Sequence, residues 1–369
     1  MMINKKLQEG GDSSTNIQAE QITLNVGIDE KRAREIYQEM NLQLRKEYSQ
    51  EAFDIANIRI NEFENRLMPK MEIVDGALEA FADPSFQLLL LEAQKTAAAT
   101  ERPADYDLLA ELLLHRFQKR EDRIVRAGVT RAVEIVDEIA DDALLGLTVF
   151  HSVNTFLPVA GNINSGLDAL DSLFGKVMYN TMPTGSNWLD HLDILDAVRL
   201  SPFGGLKKIE QFYPELLSGY IDAGIKKDSD DYLKAVAILQ SNQLPKDLLI
   251  VHELNENYVR IPVTRKEHIS SILIYHRVLY QGTPADIPLK LTDIQIQALN
   301  SIYDLYSNEN TLKENNTILF MKKWNEKHNL KALSEWWNKM DVSFQVTSVG
   351  RVLAHANAQR CENKLPPLE

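Results

Sequence analysis

Apolar residues recur every three or four positions along most of this chain, with charged residues between them. Between residues 29 and 63 this spacing predicts one long charged helix or a pair of helices, within a segment spanning residues 29–75. The carboxylate of Asp29 can cap the first turn by accepting free backbone N–H groups. We expect the helix to end before Pro69, because the residue ahead of a proline avoids helical backbone angles. The density of charge favours an exposed stalk.

The same spacing continues over residues 76–285 and predicts an α-helical body. Asp83 followed by Pro84 is typical of a helix start, since an aspartate caps the helix and a proline fits its first turn. Short connections between the helices predict antiparallel neighbours. Residues 269–280 also show helical spacing. Residues 248–263 predict a small hairpin, although the first part of that segment also suits a helix.

An uncharged stretch lies near the middle of the chain. Residues 143–167 contain no Asp, Glu, Lys or Arg. A membrane-spanning helix needs ~20 mostly apolar residues, so a membrane-inserting or pore-forming segment is one interpretation. Polar side chains interrupt this run, however, and Pro158 and Gly161 break it. We therefore expect a buried central helix followed by a loop.

Residues 286–369 predict a smaller C-terminal helical unit. It closes with a strand over residues 342–346, then Thr347 as the cap of a helix over residues 348–359. A strand leading into a Thr-Xaa-Xaa-Gly helix resembles the closing part of winged-helix modules. Ten acidic and ten basic residues balance in this unit, so no basic face for DNA stands out. The predicted fold class is mainly α: a multi-helix body with a short β-prone N-terminal segment and this small winged-helix-like unit.

Composition narrows the functional classes. The chain of 369 residues carries 40 Lys and Arg against 53 Asp and Glu, a formal net charge of -13. This charge disfavours nonspecific binding to nucleic-acid phosphates and to anionic membranes. The one cysteine, Cys361, excludes a disulfide or a thiolate metal site within a single chain. No apolar run follows the N-terminal lysines, so we expect no secretory signal and a cytoplasmic location.

Residues 1–28 predict an assembly or docking tail. The segment is polar and rich in Asn, Gln and Thr, with strand-forming residues among them. Its side-chain amides could form ladders if identical chains stacked in register. The residues predicted to carry self-association or partner pairing are Asn16, Ile17, Gln18, Ile22, Leu24 and Val26.

This tail resembles bacterial amyloid-like signalling motifs, and the related motif of necroptosis proteins, in which a short Ile-Gln or Val-Gln stretch templates a partner. It departs from them after Gln18, where Glu20 stands in place of a second Gly-Asp or Gly-Asn pair. In-register stacking would bring the Asp12 and Glu20 charges of neighbouring chains together, which is unfavourable. A disordered tail, or a strand added to a sheet of this chain or of a partner, are the alternatives.

A longer resemblance covers about the first half of the chain. It rests on the Gly-Asp-Ser-Ser-Thr-Asn-Ile-Gln-Ala segment at 11–19, a charged helix beginning near Glu30, and residues 83–87 and 92–95. These features resemble a family of bacterial proteins without an assigned activity. Proteins with such N-terminal segments occur among bacterial conflict systems, so the resemblance implies a role in phage defence as sensor, adaptor or effector. It implies no catalytic residue.

One short segment is a candidate anion site. Gly204 and Gly205 precede a predicted helix, and Lys207 and Lys208 lie in its first turn, where backbone N–H and ammonium groups can hold a phosphate. The residue spacing of a P-loop is absent.

The histidines predict no metal centre. His252 and Glu253 lack the second histidine four residues on that a zinc protease needs. His191 lies among aspartates that are better suited to capping a helix. No catalytic residue, metal or cofactor is therefore predicted, although the sequence leaves enzymatic activity open.

Together these patterns predict a non-enzymatic, oligomeric adaptor or sensor in a bacterial antiphage system. We expect a homo-oligomer, and a protein partner encoded nearby. A membrane-damaging effector that exposes residues 144–160 after activation is one alternative. A nucleic-acid-binding regulator that uses residues 342–359 is another, and salt-sensitive DNA binding would favour it.

Overall fold

The structure, a computed structural model, describes residues 28–44, 49–119, 121–201, 204–280, 283–340 and 342–368. The chain is mainly helical, as its hydrophobic pattern predicts. The tail residues predicted for self-association, 16–26, lie outside the described residues.

The first half is a succession of helices joined by short turns, with a 3-10 helix over Ala77–Ala82 after the second. These helices are α1 (Glu30–Leu44), α2 (Gln50–Ile73), α3 (Pro84–Ala99), α4 (Pro103–Gln118), α5 (Arg123–Glu134), α6 (Asp141–Thr155), α7 (Ile163–Val177) and α8 (Asn187–Ile194).

The second half mixes helices with short strands, and 3-10 turns lie over Lys246–Leu248 and Lys266–Ser271. Its elements are β1 (Val198–Ser201), α9 (Ile209–Leu216), α10 (Ser218–Ile221), β2 (Ile225–Lys226), α11 (Asp230–Ser241), β3 (Ile250–Val251), β4 (Tyr258–Arg260), β5 (Leu273–Tyr280), β6 (Thr283–Lys290), α12 (Asp293–Tyr303), α13 (Asn310–Asn325), α14 (His328–Trp337), β7 (Ser343–Val346) and α15 (Ser348–Cys361).

Several helix starts have the side-chain caps that the sequence predicts. The Asp83 carboxylate accepts the Ser85 N–H at 2.7 Å, with Pro84 in the first turn of α3. The Thr347 hydroxyl accepts the Gly350 N–H at 3.2 Å at the start of α15. Local side-chain chemistry therefore fixes where these helices begin.

The first two helices are part of the core, so the expected stalk is wrong. The apolar face of α1 is buried against α2 and α3, and the Tyr37 hydroxyl donates to the Ile60 carbonyl oxygen at 2.8 Å. The expected end before Pro69 is also wrong, because α2 continues to Ile73. An interior proline costs about 3 kcal/mol, and burial of large apolar side chains on both sides of it, such as Met71, offsets that cost.

The strands form three small antiparallel sheets. β1 pairs with β7, β4 lies between β2 and β3, and β5 pairs with β6. The small hairpin expected within residues 248–263 is thus present as β3 and β4.

The helix expected over residues 269–280 is wrong, because that segment forms a 3-10 turn followed by β5. Its Ile, Tyr and Val residues favour a strand, and the prolines that follow cannot continue a helix.

Two hydrophobic cores divide the described chain. The first contains α1–α10 together with α13, α14 and α15. The second is built from residues between Ile225 and Tyr306, mainly from β2–β4, α11 and α12. The boundary expected at residue 286 therefore falls inside β6, and the last three helices pack with the first half of the chain instead of forming a unit of their own.

The C-terminal strand and helix do not have a winged-helix arrangement. β7 pairs with the distant β1, with Val198 opposite Val346 and Ser201 opposite Ser343. α15 packs on α4, α5 and α6, and its middle is almost wholly buried. A recognition helix must enter a DNA groove, which requires an exposed face that α15 lacks.

The uncharged stretch forms most of α6, the loop after it and the start of α7. Its residues from Ala143 to Val153 are buried in the first core, as expected for a central helix. Within the described ranges, no helix has both the length and the apolar character that crossing a membrane requires.

Candidate assembly site

The β5–β6 hairpin, which we call the ribbon (Leu273–Lys290), stands apart from the other sheets. Leu273 lies opposite Lys290 and Tyr280 opposite Thr283, so all eight positions of each strand pair. Ile274 is buried in the second core and anchors the base of the ribbon. No third strand joins this sheet in the part of the chain that the structure describes.

The ribbon carries exposed apolar side chains on both faces. Leu273 and Tyr275 lie on one face and are 42% and 64% exposed, and Ile287 and Leu289 lie on the other at 43% and 42%. A two-stranded hairpin is marginally stable alone in water. Exposed apolar residues grouped in this way are typical of a surface that another chain covers.

Two prolines make the outer edge of β6 incomplete. Pro288 lies opposite Tyr275, and Pro284 lies opposite Leu279. A proline has no N–H, so neither can belong to a pair that exchanges two hydrogen bonds, and both must occupy positions whose backbone groups point away from β5. The free edge of β6 therefore lacks a donor at both positions. Prolines on an edge strand prevent a further strand from pairing there.

The outer edge of β5 is complete. Tyr275 and Leu279 lie opposite the two prolines, and every second residue of β5 shares their backbone orientation. The residues whose backbone N–H and carbonyl groups point away from β6 are therefore Leu273, Tyr275, Arg277 and Leu279. Each has both a backbone N–H and a carbonyl to offer, and no backbone hydrogen bond from these amides appears outside the ribbon among the described residues. The ribbon thus has one open edge and one blocked edge.

The predicted anion segment is largely satisfied by protein groups. The first N–H of α9, from Ile209, donates to the side-chain oxygen of Asn338 at 3.1 Å. Lys207 forms an ion pair with Glu215. Gly204, Gly205 and Lys208 are exposed. An anion at Gly204, Gly205, Lys207 and Lys208 remains a prediction, and it would have to compete with these contacts.

A buried histidine pair was missed by the sequence reasoning. His151 of α6 and His355 of α15 lie with Nε2 and Nδ1 3.1 Å apart. The His355 Nε2 lies 2.9 Å from the Pro366 carbonyl oxygen, which can only accept, so this nitrogen carries the proton. The His355 Nδ1 then accepts from His151, whose Nδ1 accepts from the Thr155 hydroxyl at 3.3 Å. Both rings are neutral in this chain of hydrogen bonds.

A third histidine, His115 of α4, extends this cluster. Its Nε2 lies 2.6 Å from the Gln359 side-chain oxygen, and its Nδ1 is buried with no hydrogen-bond partner among the described residues. The Gln359 amide donates to the Leu365 and Pro366 carbonyls. The His355 ring and the Gln359 amide therefore hold Leu365 and Pro366 against α15.

Burial lowers the pKa of all three histidines. It lowers the pKa of His151 to about 3, helped by the neighbouring His355, and the pKa of His355 to about 4, helped by His115. The pKa of His115 is also lowered, by burial first. A signal for this burial exists in the sequence, because both His151 and His355 sit inside apolar runs.

The other histidines also have structural partners. The His191 Nε2 accepts the Ala140 N–H at 3.0 Å, and the His252 Nε2 lies 3.0 Å from the Asp222 carbonyl oxygen. No group of three or more His, Cys, Asp or Glu side chains could hold a metal ion within the ranges that the structure covers.

Comparison with known proteins places the chain in a family. A model of an uncharacterised protein family matches residues 27–366. The chain belongs to this family, and the match spans both cores. No curated protein and no solved structure matches the chain.

Proposed function

We propose that this protein is a non-enzymatic, oligomeric adaptor or sensor in a bacterial antiphage system, acting in the cytoplasm. The observation that supports self-association most strongly is the open edge of β5 on a ribbon with exposed apolar residues. Such an edge binds another extended strand through backbone hydrogen bonds.

The occupant that we propose for this edge is the β5 edge of a second copy. Two copies related by a two-fold axis pair antiparallel, because the same surface contributes on both sides. The result is a four-stranded sheet in the order β6, β5, β5, β6. It ends on both sides at a proline-blocked edge, so the assembly closes as a dimer.

The defence role rests on the N-terminal resemblance, and the tail supplies a second proposed pairing element. Asn16, Ile17, Gln18, Ile22, Leu24 and Val26 would pair with further copies or with a protein partner encoded nearby. In this proposal the two cores support the ribbon, and pairing of two ribbons forms the dimer.

Phage plating tests the proposal. Cells would express the full chain with its natural gene neighbours, as the native protein, as Arg277→Pro, or as Arg277→Ala. Both variants lose the same side chain, but only the proline removes an outward N–H from the β5 edge. We expect protection by the native protein and by Arg277→Ala, and loss of protection with Arg277→Pro. Equal plating with and without the native protein would refute the defence role.

A further inference from the structure

A buried arginine without a counter-ion lies at the end of α4. Arg116 is only 7% exposed, and the described chain buries one other arginine, Arg260, whose guanidinium pairs with the Glu253 carboxylate. Arg116 forms no ion pair with a described carboxylate. Among the described residues its guanidinium donates one hydrogen bond, to the Ser85 hydroxyl at 2.9 Å. A buried charge is costly unless a partner neutralises it, so this site calls for an anion.

A second arginine, Arg126, lies beside Arg116. Arg116 is in the last turn of α4 and Arg126 in the first turn of α5, and these two helices pack on each other. Burial lowers the pKa of Arg116, and the positive charge of Arg126 lowers it further. Arg126 is half-buried, and its Nε is buried with no hydrogen-bond partner among the described residues. The two guanidinium groups therefore have unused N–H donors.

The starts of two helices meet at these arginines. Ser85 is in the first turn of α3, and the Thr96 hydroxyl, further along α3, donates to the Val133 carbonyl oxygen of α5 at 3.1 Å. α3 and α5 therefore run in the same direction, with both N-termini at the Arg116 end. A helix N-terminus carries a positive partial charge, which adds to the charge of the guanidinium groups.

The carboxylates of this region offset only part of its positive charge. Asp83 counteracts the lowering of the Arg116 pKa, but its carboxylate caps α3 and reaches Arg116 only through the Ser85 hydroxyl. Asp122 likewise caps α5. The described cations outnumber the described carboxylates: the cations are Arg116, Lys119, Arg123 and Arg126, and the carboxylates are Asp83, Glu121 and Asp122. Arg120, which lies outside the described residues of this turn, is also basic.

We propose that Arg116 and Arg126 bind a phosphate group, either as inorganic phosphate or as the phosphate monoester of a small molecule. A phosphate group carries about two negative charges and several acceptor oxygens at neutral pH, so it can neutralise both guanidinium groups and accept from their unused donors. The planar guanidinium is well matched to a phosphate because it donates two parallel hydrogen bonds. Solvent reaches the site through the half-buried Arg126. The inference is independent of the ribbon and of the tail.

Calorimetric titration of the full chain in phosphate-free buffer tests this site with inorganic phosphate, phenyl phosphate and benzoate. We expect saturable one-to-one binding of a phosphate compound, and benzoate binding weaker by about tenfold or more, because a carboxylate offers a single charge and two oxygens. Tight binding of phenyl phosphate would indicate an esterified ligand. Binding of inorganic phosphate alone would indicate the free ion.

Two variants of α5 form a matched pair for this titration. Arg126→Ala should weaken phosphate binding by about tenfold or more, since it removes one of the two charge-assisted contacts. Arg131→Ala, which breaks a partly exposed pair with Glu134 on the same helix, should leave the affinity unchanged.

Thermal unfolding gives a second readout. A ligand that binds only the folded state raises the unfolding midpoint. Phosphate should therefore raise the midpoint of the native protein and of Arg131→Ala, compared with chloride at equal ionic strength, and should leave the midpoint of Arg116→Met where it is.

The proposal would be overturned if neither phosphate compound bound saturably up to millimolar concentration. Equal affinities for the phosphate compounds and benzoate would also overturn it, because the site would then not distinguish a phosphate. So would an unchanged affinity in Arg126→Ala, which would place any binding elsewhere on the protein.

Discussion

Arg260 joins the two cores through its buried guanidinium group. It donates to both carboxylate oxygens of Glu253 at 3.0 and 3.1 Å, and to the Gly161 carbonyl oxygen at 2.6 Å. Glu253 in turn accepts the Ile163 N–H at the start of α7, at 3.0 Å. Arg260 is fully buried, so its charge is tolerated only because every side of it is paired.

We expect Arg260→Met to lower the unfolding free energy by about 3–5 kcal/mol, because it leaves the Glu253 carboxylate buried without its counter-ion. Urea unfolding followed by circular dichroism measures this loss. Adding Glu253→Gln should recover part of it. Lys234→Met, which breaks an exposed pair with Asp231, is the control and should leave the unfolding midpoint in place. An equally small effect of Arg260→Met would show that the contact between the two cores does not depend on this ion pair.

The buried histidines make stability depend on pH in a defined window. Their pKa values are about 3 for His151 and about 4 for His355 in the folded protein, against about 6.5 in an unfolded chain. The unfolded state therefore binds more protons between these values, so acid favours unfolding. We expect this contribution to be constant above about pH 6.5 and to be lost progressively as the pH falls towards 4.

Urea midpoints measured from pH 8 to pH 4 check this expectation. The His151→Gln/His355→Gln variant should show a shallower fall below about pH 6.5, because the two titrating groups are gone. Parallel curves for the variant and the native protein would assign the acid sensitivity to carboxylates instead.

For single residues, the sequence predicts the contacts of a side chain where its partners are close along the chain. The caps at Asp83 and Thr347 are readable because the donor lies two or three residues away. The pairing of His151 with His355 joins residues 204 positions apart, and no local pattern contains it. Their burial could be read from the apolar runs around them, but their contact could not.

The ribbon is the element whose two edges differ, and this difference can be engineered. We expect Pro284→Ala/Pro288→Ala to restore two outward donors on β6 and so to open the second edge. Copies could then add at both edges, and the closed dimer should give way to larger assemblies that grow with concentration. Size-exclusion chromatography with light scattering at several concentrations measures this.

Pro367→Ala, an exposed proline outside the ribbon, is the matched control and should not change the mass. If the double variant kept the mass of the native protein at all concentrations, the prolines would not limit assembly.

Elements were predicted well where periodicity and caps agreed, and poorly where burial overrode them. α3 begins at the predicted Asp83 cap, and α15 begins at the predicted Thr347 cap. Pro69 should have ended α2, but the apolar residues around it keep the helix intact. The short apolar run of β5 fits the helical period as well as the strand period, so the helix predicted over residues 269–280 was wrong, and the β-forming residues favour the strand.

For the whole molecule, the order of elements along the chain conceals how they pack. α15 lies against α4, α5 and α6, and β7 pairs with β1, so the end of the chain completes the first core. The second core is inserted between α10 and α13. The boundary predicted at residue 286 is wrong because contacts between distant segments leave no local pattern in the sequence. The open edge of β5 could not be foreseen either, since it requires the strand register.

The central claim is that two copies pair through the β5 edge, and the solution mass of the full chain tests it most directly. Light scattering should give twice the chain mass of 42.0 kDa for the native protein and for Arg277→Ala, or an even multiple if the tail adds further copies. Arg277→Pro should halve that mass, because it removes a central outward donor from the edge. The same mass for Arg277→Pro and Arg277→Ala, or a native protein that stays monomeric, would contradict the account.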